Sequence, residues 1–193
     1  MDGPENLCAE LACGDDERAE RAALRLAEIG RDALPFIRFL LANPDSDVRW
    51  WAVRTLAGLK IGNEATPDLL VALEDRSGEV RQAAAMAFCQ HPDPQAALAL
   101  AKALSDPDPM TARLSSNALS RLGQQVTPVL LEVLNGGTRA VRLEAVRALA
   151  EIKDHRAIPA LMQALETDSA LMQYWAGIGL DKLGVGMVYL KPE

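Results

Sequence analysis

A repeat of about 31 residues runs through nearly the whole 193-residue chain. Five similar segments start 32, 31, 30 and 31 residues apart, at Ala33, Ala65, Ala96, Val126 and Ala157. Four of them carry proline at their third position. Proline is typical of the first turn of a helix, because the backbone amides of that turn have no hydrogen-bond partner within the helix. A unit of this length cannot bury a core alone, so neighbouring units must stack.

The first helix of each unit repeats as well. Small residues recur every 30 to 32 positions, at Ala22, Ala52, Ala84, Ser115, Ala145 and Ala176. Large apolar residues follow four positions later, at Leu26, Leu56, Phe88, Leu119, Leu149 and Leu180. A spacing of four belongs to a helix and not to a strand. The sequence therefore predicts an all-α fold, a right-handed α-α superhelix of about five full helical hairpins plus a partial C-terminal repeat.

Two segments depart from the regular pattern. Residues 1–14 precede the first unit and are a candidate capping helix. Residues 15–193 form the predicted repeat array, which ends in a truncated repeat because Gly184-Val185-Gly186 follows the sixth first helix. End repeats of a solenoid differ from the middle ones because one of their faces meets solvent.

Three first helices begin with the dipeptides Val48-Arg49, Val80-Arg81 and Val141-Arg142. With these dipeptides, the small-residue columns and the proline-led second helices, the chain resembles the HEAT-like repeat proteins of the phycobilin-lyase type. The resemblance covers about residues 15 to 183. It implies the solenoid fold and, for some members of that family, attachment or detachment of a bilin on a light-harvesting protein.

The resemblance also implies that the repeat arginine pairs with an acidic turn residue of a neighbouring repeat. Here the candidate pairs join Arg49 or Arg81 to Asp47, Asp75 or Glu79. The same column holds Ala112 in the fourth repeat and Gln173 in the sixth, so we expect an interrupted ladder of such pairs.

The charge balance bears on the partner. The chain carries 20 Lys and Arg against 27 Asp and Glu, which gives a formal net charge of -7. An acidic chain repels a phosphate backbone, so we expect no nucleic-acid partner. A local basic stripe is the one feature that favours nucleic acid; its members are Arg49, Arg54, Arg81, Arg142 and Arg147.

The compartment follows from three further observations. No apolar run reaches the roughly 20 residues of a membrane helix, and the amino terminus lacks the pattern of a secretory signal. The three cysteines are too few for a disulfide scaffold in a chain of this size. We therefore expect a cytoplasmic protein with reduced thiols and no membrane partner.

No residue pattern points to catalysis. His91 and His155 lie between helices of different repeats without metal-ligand spacing. Cys8 and Cys13 are too far apart for a redox pair, and Cys89 lies beside Phe88 on a helix. We expect no catalytic residue, cofactor or metal, and a small-molecule ligand is not favoured.

Two surfaces are candidates for binding a partner. Second helices line the concave side of such solenoids, which places Phe36, Phe39, Val71, Lys102 and Glu132 there. The phenylalanines form either an exposed apolar groove or a core covered by residues 1–14. The second surface is aromatic: Trp50 and Trp51 share first-helix columns with Tyr174 and Trp175, and these columns hold polar residues in other repeats.

The favoured hypothesis is a non-catalytic scaffold or protein-interaction module that binds a protein or peptide. The acidic surface favours a partner with basic residues. A bilin-lyase-like enzyme or enzyme subunit is the alternative, and a nucleic-acid-binding solenoid is the third hypothesis.

Overall fold

A computed structural model describes residues 3–167 and 169–185. This part of the chain is helical without a β-strand, as the spacing of apolar residues predicts. Its α-helices are α1 (Pro4–Leu11), α2 (Asp16–Ile29), α3 (Leu34–Leu40), α4 (Ser46–Gly58), α5 (Thr66–Ala72), α6 (Gly78–Gln90), α7 (Ala97–Ala103), α8 (Pro109–Leu122), α9 (Thr127–Gly136), α10 (Arg139–Ile152), α11 (Ile158–Thr167) and α12 (Ala170–Lys182). The predicted truncated end falls largely on residues 186–193, outside the described residues.

Local sequence explains where the helices begin and end. The Asp45 carboxylate accepts a hydrogen bond from the Asp47 amide at 2.9 Å and so caps the start of α4. Proline occupies the first turn of α3, α5 and α9, where its missing amide hydrogen costs nothing. Gly30 ends α2 at φ 71°, a left-handed conformation that favours glycine. Short 3-10 turns then lead into the second helices.

The helices group into two compact units, one ending at Ala99 and one beginning at Leu100. In the first unit, the first helices α2, α4 and α6 pack side by side. Helix α1 packs against α2 and α3, and its Leu7 and Leu11 side chains are fully buried there. Helix α1 is therefore part of the packed first unit.

In the second unit, α10 lies between α8 and α12 and also contacts α9, while α11 packs on α12. Gly179 marks a close approach between these helices. A Cβ atom at this position would lie 2.9 Å from Leu161 Cδ1 and 3.0 Å from the Ala150 Cα. Glycine is required here because any side chain would push α12 away from its neighbours.

The two predicted columns form the core of both units. All six small residues, from Ala22 to Ala176, have no accessible surface, and the six large residues that follow them are also buried. Because alanine and serine project little beyond the backbone, adjacent first helices pack at short distance. The large side chains then fill the layer between first and second helices.

A buried ion pair joins successive turns of the first unit. The Arg49 guanidinium donates two hydrogen bonds of 2.8 Å to the Asp75 carboxylate, in the next repeat. It also donates to the carbonyl oxygens of Asn43 and Pro44 at 2.8 and 3.1 Å. Arg81 repeats one of these contacts, donating to the Asp75 carbonyl at 2.9 Å. The predicted pairing of Arg49 with an acidic turn residue is confirmed.

This pairing affects the titration of both groups. Burial raises the pKa of Asp75, but hydrogen bonds from Arg49 and from the Ser77 amide outweigh it, so the net pKa is lowered. The hydrogen bond to Asp75 raises the pKa of Arg49. Both groups therefore stay charged at neutral pH, and removal of either one leaves the other buried without its counter-charge.

We expect Arg49→Met to lower the free energy of unfolding by about 3 kcal/mol, because the Asp75 carboxylate loses its buried partner. Urea unfolding followed by circular dichroism measures the change. Arg38→Met is the matched control, since Arg38 pairs with Asp68 at the surface and such pairs contribute at most about 1 kcal/mol. Equal losses in the two variants would contradict a special role for the buried pair.

Candidate functional site

The outward side of α3 and α5, here called the apolar second-helix face, exposes two hydrophobic side chains. Phe39 is 82% exposed and Val71 is 72% exposed. They occupy equivalent positions of consecutive repeats, and Phe36, one turn before Phe39, is half-buried. Helix α1 contacts α3 but leaves Phe39 open, so of the two predicted alternatives Phe39 belongs to an exposed surface and not to a covered core.

An ion pair joins the two helices of this face. Arg38 Nε lies 3.0 and 2.9 Å from the two carboxylate oxygens of Asp68. Arg38 is the neighbour of Phe39 in α3, and Asp68 lies three residues before Val71 in α5. The charged pair therefore lies beside the two exposed apolar side chains.

Sequence reasoning missed a third exposed side chain on a second helix of this unit. Leu98, in the first turn of α7, is 73% exposed. It occupies the column that holds Pro35, Pro67, Pro128 and Pro159 in the other repeats. The sequence contained a signal for this exposure, because Leu98 stands at the position where the other four repeats have proline.

The remaining predicted second-helix residues lie in the second unit. Lys102 and Glu132 are exposed, as the column predicts. Val129 and Ala160 are half-buried. In this unit the second-helix column is polar where the first unit presents Phe39 and Val71.

The predicted tryptophans of α4 line a surface cleft of about 480 Å³ between α2 and α4, here called the tryptophan cleft. Its lining residues are Asp16, Glu17, Glu20, Asp47, Trp50, Trp51 and Arg54. The two indole rings meet edge to face, with centroids 5.0 Å apart. Trp51 is only 8% exposed, and Trp50 is half-buried. Sequence reasoning found the tryptophans but not the carboxylates of α2 that the fold brings beside them.

The equivalent aromatic pair of α12 has a different setting. Tyr174 is 60% exposed, whereas the Trp175 ring carries the Arg147 guanidinium 4.3 Å above its centroid. Glu144 lies between Arg113, at 3.0 Å, and Arg147, at 3.7 Å. Burial and the nearby Arg113 charge lower the pKa of Arg147.

The two aromatic columns differ in exposure. In the column of Trp50 and Tyr174, Tyr174 is exposed. In the column of Trp51, Glu144 and Trp175, Trp51 and Glu144 are buried. Neighbouring arginine side chains cover this column and neutralise its carboxylate, which is why a charged residue is tolerated at a buried position.

The basic stripe considered for nucleic acid is largely occupied by internal partners. Arg49 binds Asp75, Arg54 lies 3.1 Å from Glu20, and Arg147 packs on Trp175. A phosphate backbone would have to compete with these contacts. The geometry favours structural roles for the three arginines.

The candidate reactive side chains do not converge. Burial raises the pKa of the Cys8 thiol to about 11, so it stays protonated and a poor nucleophile at neutral pH. Cys89 is also buried, while Cys13, His91 and His155 are exposed. Within residues 3–167 and 169–185, no group of three or more His, Cys, Asp or Glu side chains has the arrangement of a metal site.

Comparison with known families identifies the class of protein. The HEAT-repeat model matches residues 4–73, 66–136 and 127–186, so the chain belongs to the HEAT-repeat family. No curated protein matches the sequence. No helix in the described part of the chain is both long and apolar enough to cross a membrane.

Solved structures with the same fold include natural and designed proteins. An engineered protein matches with 25% identity and a TM-score of 0.54, over 96% of this chain and 98% of its own. The complex of CpcE and CpcF of phycocyanin lyase from Nostoc sp. PCC7120 matches with 22% identity and a TM-score of 0.60, over 75% of this chain and 96% of the other. A designed armadillo repeat protein in complex with the peptide (KR)4 matches with 20% identity and a TM-score of 0.52, over 94% of this chain and 100% of the other.

We expect Phe39→Ser and Val71→Ser each to lower the free energy of unfolding by less than about 1 kcal/mol, because neither side chain is packed in the free protein. Ile37→Ser, two residues from Phe39 in the same helix but fully buried, is expected to cost about 4 kcal/mol. Urea unfolding of the three variants measures this contrast. A loss for Phe39→Ser as large as that for Ile37→Ser would mean that Phe39 is core.

Proposed function

We propose that this HEAT-repeat protein is a cytoplasmic, non-catalytic interaction module that binds a protein or peptide on the apolar second-helix face. The exposure of Phe39 and Val71 on adjacent second helices carries the proposal. Neither side chain contributes to the core of the first unit, and both lie on helices whose opposite sides are anchored by buried residues. The binding surface is thus rigid and separate from the residues that hold the fold.

The energetics favour an apolar anchor in the partner. Covering one exposed phenylalanine and one valine stabilises a complex by about 3 to 5 kcal/mol in total, before the cost of association. The adjacent Arg38–Asp68 pair offers polar contacts at the edge of the apolar surface. An amphipathic helix or an extended peptide with a leucine, isoleucine or aromatic anchor matches this combination.

Several observations support this choice of function class. The CpcE–CpcF complex and the peptide-bound designed protein are both repeat proteins in complex with a protein or peptide. The arginines that would favour nucleic acid pair with carboxylates or pack on Trp175, which favours a protein over a nucleic-acid partner. Cys8 and Cys13 carry free thiols, in keeping with a reducing compartment.

A bilin-lyase-like role is the second candidate. The likeness to the CpcE–CpcF complex, at a TM-score of 0.60, favours it. The two candidates differ in a direct observation, since a lyase or lyase subunit changes the absorbance spectrum of a bilin on mixing and a protein-interaction module does not.

We expect peptides selected from a random display library against the wild-type protein to bind the Phe39→Ser, Val71→Ser variant at least about tenfold more weakly, because the apolar anchor is lost. Fluorescence anisotropy with labelled peptides gives the two dissociation constants.

Leu24→Ser is the control for this experiment, because Leu24 is an exposed apolar residue of α2 outside the proposed face. It is expected to leave peptide affinity unchanged. Selected peptides that bind all three proteins equally would place the binding surface elsewhere and refute the proposal.

A further inference from the structure

The tryptophan cleft differs from the apolar second-helix face in its chemistry. Aromatic rings lie inside it, since Trp51 is buried and Trp50 half-buried, while Asp16, Glu17, Glu20 and Asp47 are exposed around them. A volume of about 480 Å³ is large enough for a long side chain of a partner. An aromatic surface bordered by carboxylates is complementary to a cation with an apolar stem.

A cation from the chain itself already uses part of this site. The Arg54 guanidinium carbon lies 5.4 Å from the Trp50 ring centroid and 5.5 Å from that of Trp51. One nitrogen of Arg54 lies 3.1 Å from the Glu20 carboxylate, and the side chain is 49% exposed. The contact demonstrates that the geometry accommodates a guanidinium beside both rings and a carboxylate.

Arg54 does not balance the charge of the cleft. Four carboxylates and one guanidinium line it. Glu20 pairs with Arg54, and Glu17 lies 3.8 Å from Arg21 at the surface. The Asp16 and Asp47 carboxylates form no ion pair with any residue in the described ranges. A second positive charge would therefore be attracted to the side of the cleft formed by these two residues.

Helix stability alone explains part of the arrangement but not all of it. Asp16 and Glu17 lie in the first turn of α2, and Asp47 lies in the first turn of α4, where carboxylates stabilise the helix dipole. This role requires neither a cleft nor two tryptophans. Glu20 lies beyond the first turn, and it is the residue that holds the guanidinium against the rings.

We propose that the tryptophan cleft binds an arginine or lysine side chain from a basic segment of a partner protein. The cation packs against Trp50 and pairs with Asp16 and Asp47, while Arg54 keeps its contact with Glu20. This site does not depend on the proposed function of the apolar second-helix face, because different helices and different side chains form it.

The test uses the full chain and a fluorescein-labelled octapeptide of alternating lysine and arginine, at low ionic strength. We expect binding that the Asp16→Asn, Asp47→Asn variant weakens at least about fivefold, because two attractive charges are lost. The Glu166→Gln, Asp181→Asn variant removes two exposed charges elsewhere and is expected to change the affinity by less than about twofold. A peptide with citrulline and acetyl-lysine in place of the cations is expected not to bind.

A second pair of variants separates the aromatic contribution from charge. Trp50→Ala is expected to weaken binding about threefold or more, whereas Trp50→Phe keeps a ring and most of the affinity. Circular dichroism verifies that each variant is folded.

Equal weakening by the two charge-neutralising variants would show attraction to net charge alone and overturn the inference. So would a failure of the basic peptide to bind the wild-type protein. If Phe39→Ser, Val71→Ser abolishes binding of the basic peptide and Trp50→Ala does not, the basic segment binds the apolar second-helix face. In that case the inference fails while the proposed function stands.

Discussion

Neighbouring first helices pack directly against one column of small residues, which therefore has no accessible surface. This column consists of Ala22, Ala52 and Ala84 in one unit and of Ser115, Ala145 and Ala176 in the other. Every other feature depends on this close packing. It sets the distance at which the large residues four positions later, such as Leu26, meet the second helices. A larger side chain in this column would separate adjacent repeats and disrupt the stacking on which each hairpin depends for its stability.

Close packing of first helices also determines which side chains remain available for binding. Second helices bury one side against the first-helix layer, as Ile37 and Leu69 do, and turn the other side outward. Phe39 and Val71 lie on that outward side and are not part of the buried core. The first helices have a similar division, since Ala52 lies in the core while Trp50, two residues earlier, borders the tryptophan cleft. The repeat thus leaves exposed positions at which the side chain can vary without changing the core.

The sequence predicted much of the fold and less of the candidate sites. The period of about 31 residues and the spacing of four between small and large columns identified the helices and their buried sides correctly. The pairing of Arg49 with Asp75 was among the predicted arginine pairs. The burial of Glu144 was not predicted, because it depends on Arg113 from α8 and on Arg147 from the same helix. A repeat pattern records which positions are equivalent, but not which long side chain from a neighbour covers them.

The sequence by itself determined the HEAT-like repeat class, because periodic burial of small and large apolar residues admits few other folds. It also determined that Phe39 and Val71 occupy equivalent positions of consecutive repeats. Only the tertiary structure decided that α1 leaves Phe39 exposed, and that Glu20 meets Arg54 and two tryptophans in one cleft. Both facts arise from contacts between residues 30 or more positions apart or on different helices. Such contacts depend on how the helices pack, which local sequence does not specify.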